Sequence, residues 1–116
     1  MAEATMDSER SRHLVVYVTT PRNEAPALAN ALVERRLAAC VNIVPGIRSV
    51  YLWKGELCDE GETLLVIKTR AALFEALRDA VVELHSYEVP EVVALPIVGG
   101  HPPYLAWVDE STNAEK

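Results

Sequence analysis

The residues AACVNIVPGIRSVYLWKGELCDEGETLLVIKT, Ala38 to Thr69, decide the fold. They carry β-branched and aromatic residues without a helical period. Pro45-Gly46 divides Ala38 to Leu57 into two extended pieces. In the second piece Val50 and Leu52 point to one side, while Ser49, Tyr51 and Trp53 point to the other. The polar run CDEGE reads as a turn, with Cys58 an exposed loop thiol, and TLLVIKT (Thr63 to Thr69) returns as an apolar strand. The stretch is a long β-hairpin.

On its N-terminal side, HLVVYVTT (His13 to Thr20) has the composition of a buried strand. Thr20 is expected to cap a helix that begins at Pro21, has Glu24 near its positive end and runs to about Leu37. Leu28, Ala31 and Leu32 form its inward stripe, and Pro26 is tolerable only in the early turns. On the C-terminal side, Thr69 is expected to cap a second helix from Arg70 to about His85, with Leu73, Leu77, Ala80, Val81 and Leu84 at helical spacing. A fourth strand follows at Val92 to Val98, then a short helix at Tyr104 to Glu110. The order β-α-β-β-α-β predicts an α+β, ferredoxin-like sandwich: an antiparallel sheet with two helices on one face. Residues 1–12 read as a flexible N-terminal tail, 13–112 as a single domain and 113–116 as a C-terminal tail.

Composition limits the function. A formal charge of −6 with no basic stripe disfavours a nucleic acid partner, whose phosphates would be repelled. No apolar run reaches the ~18 to 20 residues of a membrane span, so no membrane partner is expected. The N-terminal residues lack the apolar region of a secretory signal, and Cys40 and Cys58 have neither a C-x-x-C nor a zinc-ribbon spacing. A cytoplasmic protein with reduced thiols is expected, Cys40 acting as a small buried hydrophobe. The bare sheet face, with Tyr51, Trp53 and Trp107, and the long strand edges need cover, and a second copy of the same chain supplies it. A homo-oligomer follows.

LHSYEVPEVVALPI, Leu84 to Ile97, holds the candidate site. His85, Glu88 and Glu91 recur at intervals of three, and H-x-x-E can offer a ring nitrogen and a carboxylate to one cation. Pro90 interrupts the helix and turns the chain into the strand. One imidazole and two carboxylates are few donors for Cu²⁺ or Zn²⁺, so any metal should bind weakly or with help from His101, Cys40 or a neighbouring subunit. The competing reading is structural, with His85 at the helix C-terminus, Tyr87 packed on the sheet and the two glutamates solvated. No phosphate loop, nucleophile elbow, zinc-protease or Cys-His signature is present, so neither an enzyme nor an organic cofactor is expected. Tyr51, Trp53, Lys68, His85, Tyr87 and Glu88 could alternatively line an inter-subunit cleft for a small anionic or polar metabolite, Lys68 neutralising a carboxylate. Tyr51, Trp53, Tyr87 and Trp107 could instead serve as interface core alone.

The segments VTTP, ALVERRLAACVNIVPGIRSVYLWKGEL, VIKTR, LHSYEVPEVVALPIVGG and YLAWVDEST, in this order from about Leu14 to Ser111, resemble the CutA family of divalent-cation tolerance proteins. The resemblance implies a ferredoxin-like homotrimer with strand pairing between subunits, similar in architecture to PII signalling proteins. It also implies a role in the response to divalent metal ions, copper above all, without catalysis. The family histidine of H-P-Y-E-V-P-E falls on His85, followed by Tyr87, Glu88, Pro90 and Glu91, with Ser86 where proline is usual. Some bacterial members have a cysteine and a second histidine as proposed copper ligands. Those positions are Val18 and Leu84 here, so the same copper set is not available.

Overall fold

The computed structural model describes residues 12–113, so the N-terminal tail expected at 1–12 falls outside it except for Arg12. Four strands form one antiparallel sheet in the order β2-β3-β1-β4. They are β1 (His13–Thr20), β2 (Cys40–Trp53), β3 (Glu56–Arg70) and β4 (Val92–Pro96). Alternation on β1 sends Val16, Val18 and Thr20 to one face, where they are fully buried. Leu65, Ile67 and Thr69 of β3 join them there, covered by helices α1 (Ala25–Glu34) and α2 (Phe74–Leu84). Leu28 and Leu32 of α1 and Leu77, Ala80 and Val81 of α2 complete the core. The ferredoxin-like order and the placement of these two helices are as expected from the sequence.

Several local expectations are corrected. The first helix begins at Ala25 with Glu24 at its cap, not at Pro21 with Thr20. A helix from Pro21 would put Pro26 in its second turn, where the ring collides with a carbonyl one turn back; starting at Ala25 puts Pro26 in the first turn, where no N–H is needed. Thr69 is not a cap either. It is a buried strand residue whose hydroxyl donates to the Leu37 carbonyl at 2.6 Å, and a 3-10 turn, Ala71–Leu73, precedes α2. Leu84, which recurs at helical spacing with Leu77 and Val81, is exposed while those two are buried.

The hairpin turn is corrected as well. It lies at Lys54-Gly55, with φ of 52° and 84°, so CDEGE is strand and Cys58 stands opposite Tyr51. Positive φ at both loop residues is the geometry that matches the twist of a two-residue hairpin, and glycine takes it without cost. Pro45-Gly46 does not split β2; it forms a bulge between Val44 and Ile47, tolerated because β2 is an edge strand. Because β1 ends opposite Thr63, the hairpin beyond that point, Ile47–Trp53 with Glu56–Glu62, leaves the main sheet as a two-stranded arm.

The C-terminal helix, α3 (Pro102–Ser111), is longer than expected and lies on the other side of the sheet. His13 alternates with the core-facing Leu14 and Val16, and its Nε2 meets Asp109 of α3 at 2.9 Å. Arg70 fastens the helix end, donating to the Thr112 hydroxyl at 2.8 Å and its carbonyl at 2.9 Å. The second face is therefore partly covered within the chain. Its open part and the arm expose Leu52 (71%), Leu57 (73%), Val50, Val93 and Leu95.

Candidate functional site

Helix α2 stops at Leu84, before Pro90 can act on it. His85 is already extended (φ −83°, ψ 145°), although its N–H still closes the last turn on Val81 at 2.8 Å. The residue is 8% exposed, and its ring lies against the end of β1. Nε2 is 2.7 Å from the Thr19 carbonyl, and Nδ1 is 3.1 Å from the Tyr87 amide nitrogen. A carbonyl only accepts and an amide N–H only donates, so Nε2 carries the proton and Nδ1 accepts. Tyr87 packs on the imidazole, ring centroids 4.7 Å apart, and its hydroxyl donates to Glu62 at 2.6 Å.

Glu62 sits on β3 just past the end of β1, at the base of the arm, and is 5% exposed. Two residues further along the arm, Glu60 accepts a 3.0 Å bond from the Tyr51 hydroxyl, a diagonal cross-strand pair. The connection from α2 to β4 and the arm thus enclose a cleft of about 670 Å³. Tyr51, Trp53 and Tyr87 give it aromatic walls, and Glu60, Glu62, Glu88 and Glu91 give it four carboxylates. Among the described residues, no lysine, arginine or histidine lines it. Lys54 at the arm tip approaches Glu88 to 3.9 Å and lies 5.7 Å from the Trp53 ring centre. Thr19 donates to Glu91 at 3.4 Å.

The field in the cleft acts on both phenols. The hydrogen bond to Glu60 comes first for Tyr51, with desolvation and surrounding negative charge adding, and pushes it up to about 12. Burial raises Tyr87 further, then the hydrogen bond and charge of Glu62. Each phenolate would face a carboxylate, so both hydroxyls stay donors at neutral pH.

Of the residues named from sequence, Tyr51, Trp53, Tyr87, Glu88 and Glu91 meet in the cleft. His85 stands behind its wall. Lys68 is six residues from Glu62 along β3, roughly 20 Å away, and bonds to Asn42. It is not placed to neutralise a ligand there. Trp107 lies on α3, tilted against Tyr104 at 5.5 Å, and does not line the cleft. His85, Glu88 and Glu91 do not converge, and among the described residues no three His, Cys, Asp or Glu side chains group as a metal site. Glu60, Glu62 and Thr19 were missed; once the turn is put at Lys54-Gly55, the register sets Glu60 diagonally beside Tyr51.

The family profile described as CutA1 divalent ion tolerance protein matches residues 14–111. The chain belongs to the CutA family. It is 56% identical over 101 residues to the chloroplastic CutA protein of Arabidopsis thaliana, covering 86% of this chain and 56% of that protein, so it spans little more than half of that relative's length. It is 52% identical over 100 residues to the divalent-cation tolerance protein CutA of Thermus thermophilus, covering 85% and 97% of the two chains. The solved PII-like protein CutA from Nostoc sp. PCC 7120, in apo form, superposes with a TM-score of 0.82 at 33% identity, covering 86% and 97%. The ferredoxin-like frame of this CutA chain is thus also the frame of a PII-like protein.

Proposed function

We propose that this CutA protein acts as a homotrimer in the response to divalent cations, binding such a cation weakly and without a catalytic step. The observation that carries the cation reading is the cleft: four carboxylates and, among the described residues, no basic lining residue. Its oxygens suit hard cations better than copper, which favours imidazole and sulfur. The donors do not converge within one subunit, so a neighbouring subunit completes the site in this proposal. Assembly is supported by the exposed apolar residues of the arm and by two free sheet edges, β2 and β4. Pairing one edge with the other edge of the next copy is a heterologous contact, which gives a ring when the rotation between copies closes and a filament when it does not; the proposal is the closed ring. The cytoplasm is the proposed compartment, in keeping with the unpaired Cys40 and Cys58.

Light scattering on a sizing column should give three chains per particle, and Leu52→Lys with Leu57→Lys should give monomers. Titration calorimetry with Mn²⁺ and Zn²⁺ should show weak binding that Glu60→Gln with Glu88→Gln reduces at least tenfold. Unchanged affinity in that variant would remove the cleft from the cation role.

A second reading is favoured by the aromatic walls and the PII-like neighbour: the cleft takes a small organic effector. The lining charge then selects a polar or cationic molecule and not an anionic one. A thermal-shift screen in which amines and anions stabilise the protein equally would count against it.

A further inference from the structure

The CutA family implies a metal at the histidine of LHSYEVPE, and the surroundings of His85 test that implication. Metal ligation needs a lone pair on a ring nitrogen. The Nδ1 lone pair already accepts the Tyr87 N–H, and Nε2 has none to give while its proton is bonded to the Thr19 carbonyl. A metal at Nδ1 displaces the Tyr87 amide. A metal at Nε2 moves the ring proton to Nδ1, which strips the Thr19 carbonyl of its donor and points two N–H groups at each other. The groups around the ring do not help: Thr19 comes from β1, Tyr87 from the α2–β4 connection, and Glu62 is reached only through the Tyr87 hydroxyl. Glu91 is turned to Thr19 and Glu88 towards Lys54. The implied metal does not fit this imidazole.

The same contacts fit another task. His85 is the only described side chain shown to bond both the end of β1 and the backbone of the α2–β4 connection. We infer that His85 is a positioning residue and not a metal ligand: its imidazole latches the connection to β1 and thereby sets Tyr87 on Glu62 as a wall of the cleft. A metal ion takes either ring nitrogen only by opening that latch. The latch deepens the cleft proposal and rests on it for the importance of the wall. Whether cations bind is a separate question.

The test uses the full chain with ¹⁵N label and long-range ¹H–¹⁵N spectra of the imidazoles. His85 should show a protonated Nε2 and an accepting Nδ1. Adding Zn²⁺ should either leave the His85 ring signals in place or move them only together with the Tyr87 amide. A protonated Nδ1, or a metallated His85 with the Tyr87 amide unmoved, overturns the inference. Two variants separate positioning from bulk stability. His85→Asn keeps an acceptor for the Tyr87 N–H, whereas His85→Gln keeps only a donor for Thr19. With ¹³C-labelled tyrosine, Tyr87 should still ionise above its ordinary value in the Asn variant and fall back towards it in the Gln variant. A residue that mattered only for stability would lower the unfolding midpoint in both without that split, and equal Tyr87 titrations would overturn the latch. If no cation binds anywhere, the proposed cation role fails while an Nε2–H, Nδ1-accepting His85 still upholds the latch. A metallated His85 with Tyr87 in place does the reverse.

Discussion

Removing the Tyr87 hydroxyl gives the sharpest test of how the cleft is held. In Tyr87→Phe the ring keeps its packing on His85, but Glu62 loses a 2.6 Å donor while 5% exposed. A hydrogen bond to a charged group contributes about 1.5–3 kcal/mol, and a buried acceptor left without a donor costs its desolvation as well, so a loss of about 2 kcal/mol is expected. Tyr51→Phe removes a similar bond, 3.0 Å to Glu60, from a side chain that is 37% exposed and beside an exposed glutamate. Water replaces that donor, so the loss should be much smaller than for Tyr87→Phe. Urea unfolding midpoints at pH 7, with both variants and the parent at one protein concentration because oligomers shift with concentration, measure the contrast. Equal losses, or a larger one for Tyr51→Phe, would refute the claim that burial of Glu62 makes the first bond count.

The phenols also predict an alkaline limit. Their folded values are raised above the ordinary 10.0, so the folded state holds protons that the unfolded chain has released; this stability is full below pH 10 and is lost as pH rises through the folded values. Stability should therefore fall above about pH 10, and the fall should be shallower in Tyr87→Phe than in the parent. Gly55→Ala puts a Cβ on a residue with φ of 84°, and should cost about 1–2 kcal/mol in the unfolding midpoint. Arg70→Met removes both bonds to Thr112, and amide exchange in α3 should speed up about tenfold while that of β1 and β3 stays unchanged. Leu65→Ala, in a fully buried position, should cost about 2–5 kcal/mol.

Much of the frame was legible because it is written in periods. Val16 and Val18 alternate, Leu28 and Leu32 recur at helical spacing, and the hairpin between two helices leaves few topologies. Errors gathered where one local signal hid another. CDEGE is polar because the arm is solvent-exposed, not because it turns, and Lys54-Gly55 was read as strand because lysine rarely takes a positive φ. That misplaced turn hid Glu60 and Glu62, since only the register shows which residues lie across from Tyr51. His85 illustrates a different gap. Its helix-end position was visible, but whether an imidazole offers a lone pair depends on Thr19, 66 positions away. Lys68 and Trp107 were grouped with the arm aromatics by residue type, and the fold separates them.

The arm beyond Thr63 has one further consequence. A lone two-stranded ribbon is marginal in water, and none of the described helices forms a layer beneath this one. Under the proposed assembly its order is borrowed from neighbours, so subunit concentration enters the arm's stability directly. Dilution should therefore loosen the tip first, exposing Lys54 to tryptic cleavage while the four-stranded body stays intact.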